Sequence, residues 1–390
     1  MAASTEDLSL TPADILLGHP PAGFAERSFQ GIPGIECTRD GSLWACWYGG
    51  GQGEGLENFV MLASKSTNRW SEPWLFVVPA HSRLRVFDPV LWVDPRGRLW
   101  LFWTQTQIKA ENDSPTVFDG LRPGMPDTRF TWDGRGGVWG ICCEQPEAIP
   151  RIWSQPQRFC DGVMMNKPSA DRSGHWLMPT TIWDLKPYAE GIAKAQRGPG
   201  VAIYSDGDPH ASLTATADIP DPVFDEHVML PLRDGRWALW ARNASVIRRA
   251  VVSYSNDRGH MWTRGTYTDI PCPNSRFSIG RLRSGTLLLA SHRITQEMID
   301  SQSLWPVRSH LAVWLSDDEG QTWHGNLLID EREHVSYPDF TQAADGTIHL
   351  IYDHARNVSG DILHVELTEH QIREGLPVLQ RDVINSFRQA

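Results

Sequence analysis

Apolar and polar positions along this chain fall into short runs separated by tight turns. Six times a polar residue and a glycine introduce a segment rich in Trp, Leu and Ile. The turns are Asp40-Gly41, Arg96-Gly97, Ser173-Gly174, Asp234-Gly235, Ser284-Gly285 and Asp345-Gly346, followed by segments such as Leu43-Trp44, Leu99-Trp100 and Trp237-Ala238. Glycine supplies the positive φ of a hairpin turn, and the apolar segment reads as a buried strand. A second pattern, S-x-D-x-G-x-x-W, occurs in full as Ser255 to Trp262 and Ser316 to Trp323, after the apolar runs Ala250 to Tyr254 and Leu311 to Leu315. In it Ser and Asp bond back to the chain, and Trp fastens the turn to a sheet. Ser64 to Trp70 reads as the same turn with one residue deleted, and Trp153-Ser154 as a relic of another.

Six matching units at intervals of about 50 to 80 residues fit four-stranded blades closed in a ring. The chain is therefore expected to be all-β, a six-bladed β-propeller with hairpin turns of the second pattern. Residues 1–20 are expected to form an N-terminal segment, 21–366 the propeller, and 367–390 a helix and tail packing on it. Helical spacing is best over Leu367 to Gly375, and the Pro-, Asp- and Gly-rich stretch from Thr106 to Gly134 reads as a loop over one face.

Composition narrows the possibilities. The 390 residues suffice for a large core, and 18 Trp with 27 Pro and 33 Gly suit many short strands. A net charge of -11 without a basic stretch argues against nucleic acid as partner. No apolar run is long enough for a membrane span. The start of the chain lacks a signal-peptide pattern, so it reads as cytoplasmic as written, or as secreted or periplasmic if a signal was removed. The six Cys form no C-x-x-C pair, and no D-x-D-x-D-G loop is visible, so no metal and no cofactor are called for.

The second turn pattern is the Asp-box, and with it the chain resembles the sialidase superfamily over most of its length, most closely from Glu226 to Tyr352. Glu226 stands before the strand that follows Asp234-Gly235, and Arg242 closes that strand. Arg308 precedes the last Asp-box strand, and Tyr337 follows in Ser336-Tyr337-Pro338-Asp339. The resemblance implies a retaining exo-glycoside hydrolase that removes a terminal acidic sugar. Tyr337 would be the nucleophile, Glu226 its base, and Arg242 and Arg308 the carboxylate clamp. The residue types suit that chemistry. A phenol ordinarily titrates near pH 10 and needs a base to attack at neutral pH. Guanidinium forks grip a carboxylate better than an ammonium does.

Two departures stand out. Gly31, in Gln30-Gly31-Ile32-Pro33, occupies the place of the superfamily's first arginine. Losing one fork should weaken carboxylate binding by about 1.5–3 kcal/mol unless it is replaced. Arg27, Arg83 and Arg85 are the substitutes considered. The acid/base Asp is also missing from its loop, here Gly49 to Asn58, which leaves Glu57, Glu54 or Asp88 for the part. Asn166, Lys167, Asn274 and Arg276, at comparable blade starts, are candidate substrate-binding residues. A polysaccharide lyase or inverting glycosidase on the same scaffold, using His227, His292, His310, His334 or His354, and a non-catalytic carbohydrate-binding propeller are the competing readings.

Overall fold

The computed structural model describes residues 8–65, 69–107, 136–182, 198–220 and 222–387, with side chains left out at 107 and 222–225. Most of the proline-rich stretch between Thr106 and Gly134 lies outside the described residues. Strands assemble into six antiparallel meanders, each drawn from one continuous length of chain. The innermost strands, in chain order, are Gln30–Cys37, Leu84–Val93, Ser169–Ala170, Pro222–Pro231, Ser278–Arg281 and Val335–Gln342. This is the six-bladed β-propeller expected from the sequence.

All six glycine turns lie between the first and second strands of their blades, and each glycine has φ between 83° and 94°. The two Asp-boxes join the third and fourth strands of blades four and five. In the second box the Ser316 hydroxyl donates to Asp318 Oδ1 at 2.8 Å and accepts from the Gly320 N–H at 2.8 Å. The same carboxylate accepts from the Gln321 and Thr322 amides. In the first box Trp262 Nε1 donates to the Ala215 carbonyl at 2.9 Å, which ties that turn to the preceding blade.

The abundance of Trp is explained by the faces between blades. Each pair of neighbouring blades encloses its own apolar cluster, including the pair formed by blades six and one, where Ile351, Ile362 and Ile384 meet Ile35, Trp47 and Phe76. Between blades two and three, Trp92, Trp100, Phe159 and Tyr204 surround Trp176, with ring centroids 4.8 to 6.3 Å from it. Edge-to-face aromatic packing of this kind adds to simple area burial.

Both ends of the chain enter the sheets. Asp14–Leu17 pairs outside Leu75–Val78 as a fifth strand of blade one, and Arg381–Asn385 is the outermost strand of blade six. The segment after 366 thus supplies a blade strand as well as the short helix Glu369–Glu374, which Thr368 caps and Gly375 ends. Polar bonds close the ring. Arg27 and Gln30 both donate to Asn385 Oδ1, and the Ile32 and Ile35 amides donate to Asp353 and Asp339 of blade six.

Candidate functional site

The inner strands share a device that builds the axial site. In blades one, two and six the pairing slips by a bulge at Gly31/Gly34, Phe87/Val90 and Ser336/Asp339. At each bulge a non-glycine residue directly before a proline takes a left-handed conformation: Ile32 at φ 57°, Asp88 at 49° and Tyr337 at 53°. Such backbone costs on the order of 1–3 kcal/mol per residue and persists where surrounding contacts over-determine it. Bulges re-aim side chains. Here the device belongs to two of the residues singled out from sequence, Asp88 and Tyr337.

Three side chains converge on one point, with two more beside them. The Tyr337 hydroxyl donates to Glu226 Oε1 at 2.6 Å, across 111 residues of chain. Arg242 Nη1 lies 2.6 Å from that oxygen and 3.0 Å from the phenol oxygen. The Asn274 side chain accepts from Arg242 Nε at 2.8 Å, while its backbone carbonyl accepts from Arg308 Nη2 at 2.9 Å. One asparagine therefore sets the direction of both arginines. Arg308 Cζ stands 5.1 Å from the centre of the Tyr337 ring. Glu226, Arg242 and Tyr337 are all buried.

The electrostatics of this cluster oppose one another. Burial pushes the Tyr337 phenol above its ordinary range, and the Glu226 carboxylate adds to the rise. Arg242, Arg308 and Arg356 pull the other way. The resting group is a neutral phenol with a carboxylate at its proton. Asp88 differs from the other acids. It is buried, and neither carboxyl oxygen has a hydrogen-bond partner among the described residues. Desolvation holds its carboxyl well above the usual range against the pull of Arg85, with Glu54 and Glu226 adding to the rise.

The remaining candidates divide by position. Glu54 is half-buried at the Gly-rich loop, its carboxylate 3.8 Å from Arg85 and 3.9 Å from Arg356. Glu57 is exposed, its carboxylate turned against Gly51. Arg276 lies under the Tyr337 ring, 5.2 Å from its centroid. It donates to the carbonyls of Met165, Pro33, Tyr337 and Pro338 and so ties blades one, three and six to blade five. Lys167 donates to the carbonyls of Ile35 and Phe340 and pairs with Glu36 and Asp339. With Asn166 it lines a cavity near the far ends of the inner strands, beside Arg281, Arg283 and Gln342 and away from the Tyr337 phenol. Asn166 itself donates to the His227 carbonyl.

Among the substitutes for the missing first arginine, Arg27 bonds Phe24, Gln30 and Asn385 at the ring closure, and Arg83 is exposed. Arg85 bonds Asn58 and the Tyr48 hydroxyl. His227 is held by Thr181 and the Gly200 carbonyl, His292 by the Ser309 carbonyl and His354 by Asp361. Two neighbours were not singled out from sequence. Arg356, in the loop after Ile348–His354, places its Cζ 4.2 Å from the Tyr337 ring centre. Trp305, before Arg308, places its ring 5.6 Å from Arg242 Cζ. The arginine follows Ala355, another residue in the left-handed region, and carries no motif; the tryptophan lies in a segment without strand periodicity.

The ring of blades and its Asp-boxes define a sialidase-like propeller. The family described as BNR repeat-like domain matches residues 41–350, and the chain belongs to it. No curated protein matches. Among solved structures, the leech intramolecular trans-sialidase aligns with TM-score 0.61 at 12% identity, covering 93% of this chain and 71% of that one. The Hadza microbial sialidase Hz136 gives 0.61 at 16%, over 88% and 66%. A protein of unknown function from Dyadobacter fermentans gives 0.58 at 12%, over 90% and 95%. At these identities the likeness is one of fold.

Proposed function

We propose that the protein is a retaining exo-glycoside hydrolase acting on a terminal sugar that bears a carboxylate. The observation that carries this reading is the shared hydrogen bond of Tyr337 and Glu226, 2.6 Å long, with Arg242 Nη1 in reach of both oxygens. The phenol oxygen attacks the anomeric carbon as its proton passes to Glu226. Arg242 stabilises the negative charge that develops on that oxygen, in a site shielded from bulk water. A neutral nucleophile avoids the repulsion that a second carboxylate would meet beside the substrate's own.

The leaving oxygen needs a proton from a group at the mouth of the site. Glu54 fits best, since it is half-buried on the Gly-rich loop and faces the arginines that border Tyr337. Glu57 points elsewhere. Asp88, whose carboxyl burial holds toward its protonated form and whose oxygens have no partner among the described residues, is suited to donate a hydrogen bond to a sugar hydroxyl. Water then attacks the glycosyl–tyrosine bond with Glu54 as base; the phenolate regains its proton from Glu226, and the two displacements together retain configuration. Arg308 and Arg242 hold the substrate carboxylate, while Trp305 offers an apolar face to the ring. A lyase mechanism using histidine finds less support, because His227, His292, His310 and His354 each bond a group other than the phenol and His334 is exposed.

Replacing Tyr337 by Phe tests this directly, using aryl glycosides of several acidic sugars. Turnover should fall by at least about 10³-fold with melting behaviour retained. Activity within a few-fold of the parent would end the proposed mechanism.

A further inference from the structure

Gly31 and Arg356 share one volume. A Cβ built on Gly31 would lie 2.8 Å from Arg356 Nε and 2.9 Å from its Cδ and Cγ. Gly31 does not lie in the left-handed region, so backbone conformation does not require glycine there. What requires it is the arginine lying across it. Arg356 comes from blade six and Gly31 from blade one, and the two meet where the ring closes.

We infer that Arg356 is a substrate-carboxylate-binding residue, supplying from blade six the guanidinium that residue 31 of blade one does not carry. The inference rests on the reading of the site as one for an acidic sugar. Arg356 is held as a binding group should be. Nε donates to Asp353 Oδ2 at 2.9 Å, and Nη2 pairs with the same oxygen at 2.8 Å and donates to Ser336 Oγ at 3.0 Å. Asp353 in turn accepts from the Ser336 hydroxyl and from the Ile32 amide, each at 2.7 Å. Two nitrogens are thus spent on orientation. The third, Nη1, makes no hydrogen bond among the described residues; its nearest acidic oxygen, on Glu54, is 3.9 Å away. That corner belongs to the guanidinium nearest the Tyr337 ring, at 4.2 Å against 5.1 Å for Arg308. Burial disfavours the Arg356 charge, but the Asp353 carboxylate, with Glu54 beyond it, keeps the group cationic.

A structural salt bridge to Asp353 would explain the pairing but not the glycine opposite. The two roles separate in a swap experiment. Calorimetry measures binding of 2,3-didehydro-2-deoxy-N-acetylneuraminic acid and of its methyl ester to the full chain. The variants are Gly31→Arg, Arg356→Ala, Arg356→Lys and the double variant Gly31→Arg/Arg356→Ala, with melting curves for each. The parent should prefer the acid. Arg356→Ala should lose about 10- to 100-fold in acid binding with little change for the ester. Arg356→Lys, which keeps a cation beside Asp353, should lose less. Gly31→Arg alone should also lose, because two arginines cannot share the volume, and the double variant should recover most of the preference. A parent that prefers the acid, with Arg356→Ala and Arg356→Lys that keep that preference, overturns the role of Arg356 and leaves the acidic-sugar reading standing. A parent that binds acid and ester alike, or neither, overturns both.

Discussion

The Tyr337 hydroxyl gives its hydrogen bond to Glu226 at 2.6 Å, and Arg242 lies within 3.0 Å of both oxygens. A phenol raised by burial thus meets a carboxylate and a cation in one contact. The contact joins the inner strands of blades four and six, so the site exists only once those blades have assembled.

Removing the base should separate the roles. Glu226→Gln keeps the shape and a hydrogen-bond acceptor but takes no proton. Turnover at neutral pH is expected to fall by about 10²- to 10⁴-fold. The residual rate should rise with pH as hydroxide ionises the raised phenol instead. A pH–rate profile of the variant checks this, and a rate independent of pH would count against a proton transfer to Glu226.

Asp88 should make the protein more stable in acid than its neighbours alone would. Its folded carboxyl is held well above the unfolded value near 3.9, mainly by desolvation. The stability it contributes is therefore full below pH 4 and is lost as pH rises toward the folded value. Asp88→Asn removes that dependence. The stability of the parent relative to the variant should fall by up to about 1.4 kcal/mol per pH unit above pH 4, levelling off past the folded value. Urea unfolding of both proteins from pH 4 to 8 measures the difference.

Arg276 and Arg308 should fail in different ways. Arg276→Met leaves the carbonyls of Met165, Pro33 and Tyr337 without this donor, while Pro338 keeps the Ser278 hydroxyl. Each buried orphan costs about 1–3 kcal/mol, so a loss of several kcal/mol is expected. Arg308→Met should leave the melting temperature within a few degrees and raise KM for acidic sugars instead. Melting curves and steady-state kinetics on the same preparations distinguish the two.

The Asp-boxes should matter for the frame alone. Asp318→Ala removes the acceptor of two amides and two hydroxyls in the blade-five turn. It should cost about 1–2 kcal/mol of stability with kcat/KM unchanged. A changed kcat/KM at full folding would mean that the turns reach the site.

How far the sequence could be read follows from where its constraints are local. Gly41, Gly97, Gly174, Gly235, Gly285 and Gly346 announce their turns because each needs a positive φ in place. Those six positions are enough to count the blades. Glu226, Arg242, Arg308 and Tyr337 stand out through the resemblance of their strands to those of the sialidase superfamily. The surroundings could not. Arg276 and Lys167 occupy blade starts like those of Asn274, and no local pattern tells whether a cation will meet a ligand or a ring of carbonyls. Glu54 and Glu57 differ through the path of a Gly-rich loop, which has no periodicity. Arg356 was hidden because its counterpart, Gly31, lies at the other end of the chain and meets it only on ring closure. The three X-Pro steps at Ile32, Asp88 and Tyr337 were the overlooked signal, since each marks a bulge on an inner strand.

A covalent bond to one phenol oxygen is the core of the proposed mechanism. Incubation with 2,3-difluoro-N-acetylneuraminic acid followed by peptide mapping locates it. The expected result is one sugar adduct per chain on the peptide holding Tyr337, absent from Tyr337→Phe and slow to form in Glu226→Gln. An adduct on another residue, or none while the protein turns over acidic glycosides, would contradict the account.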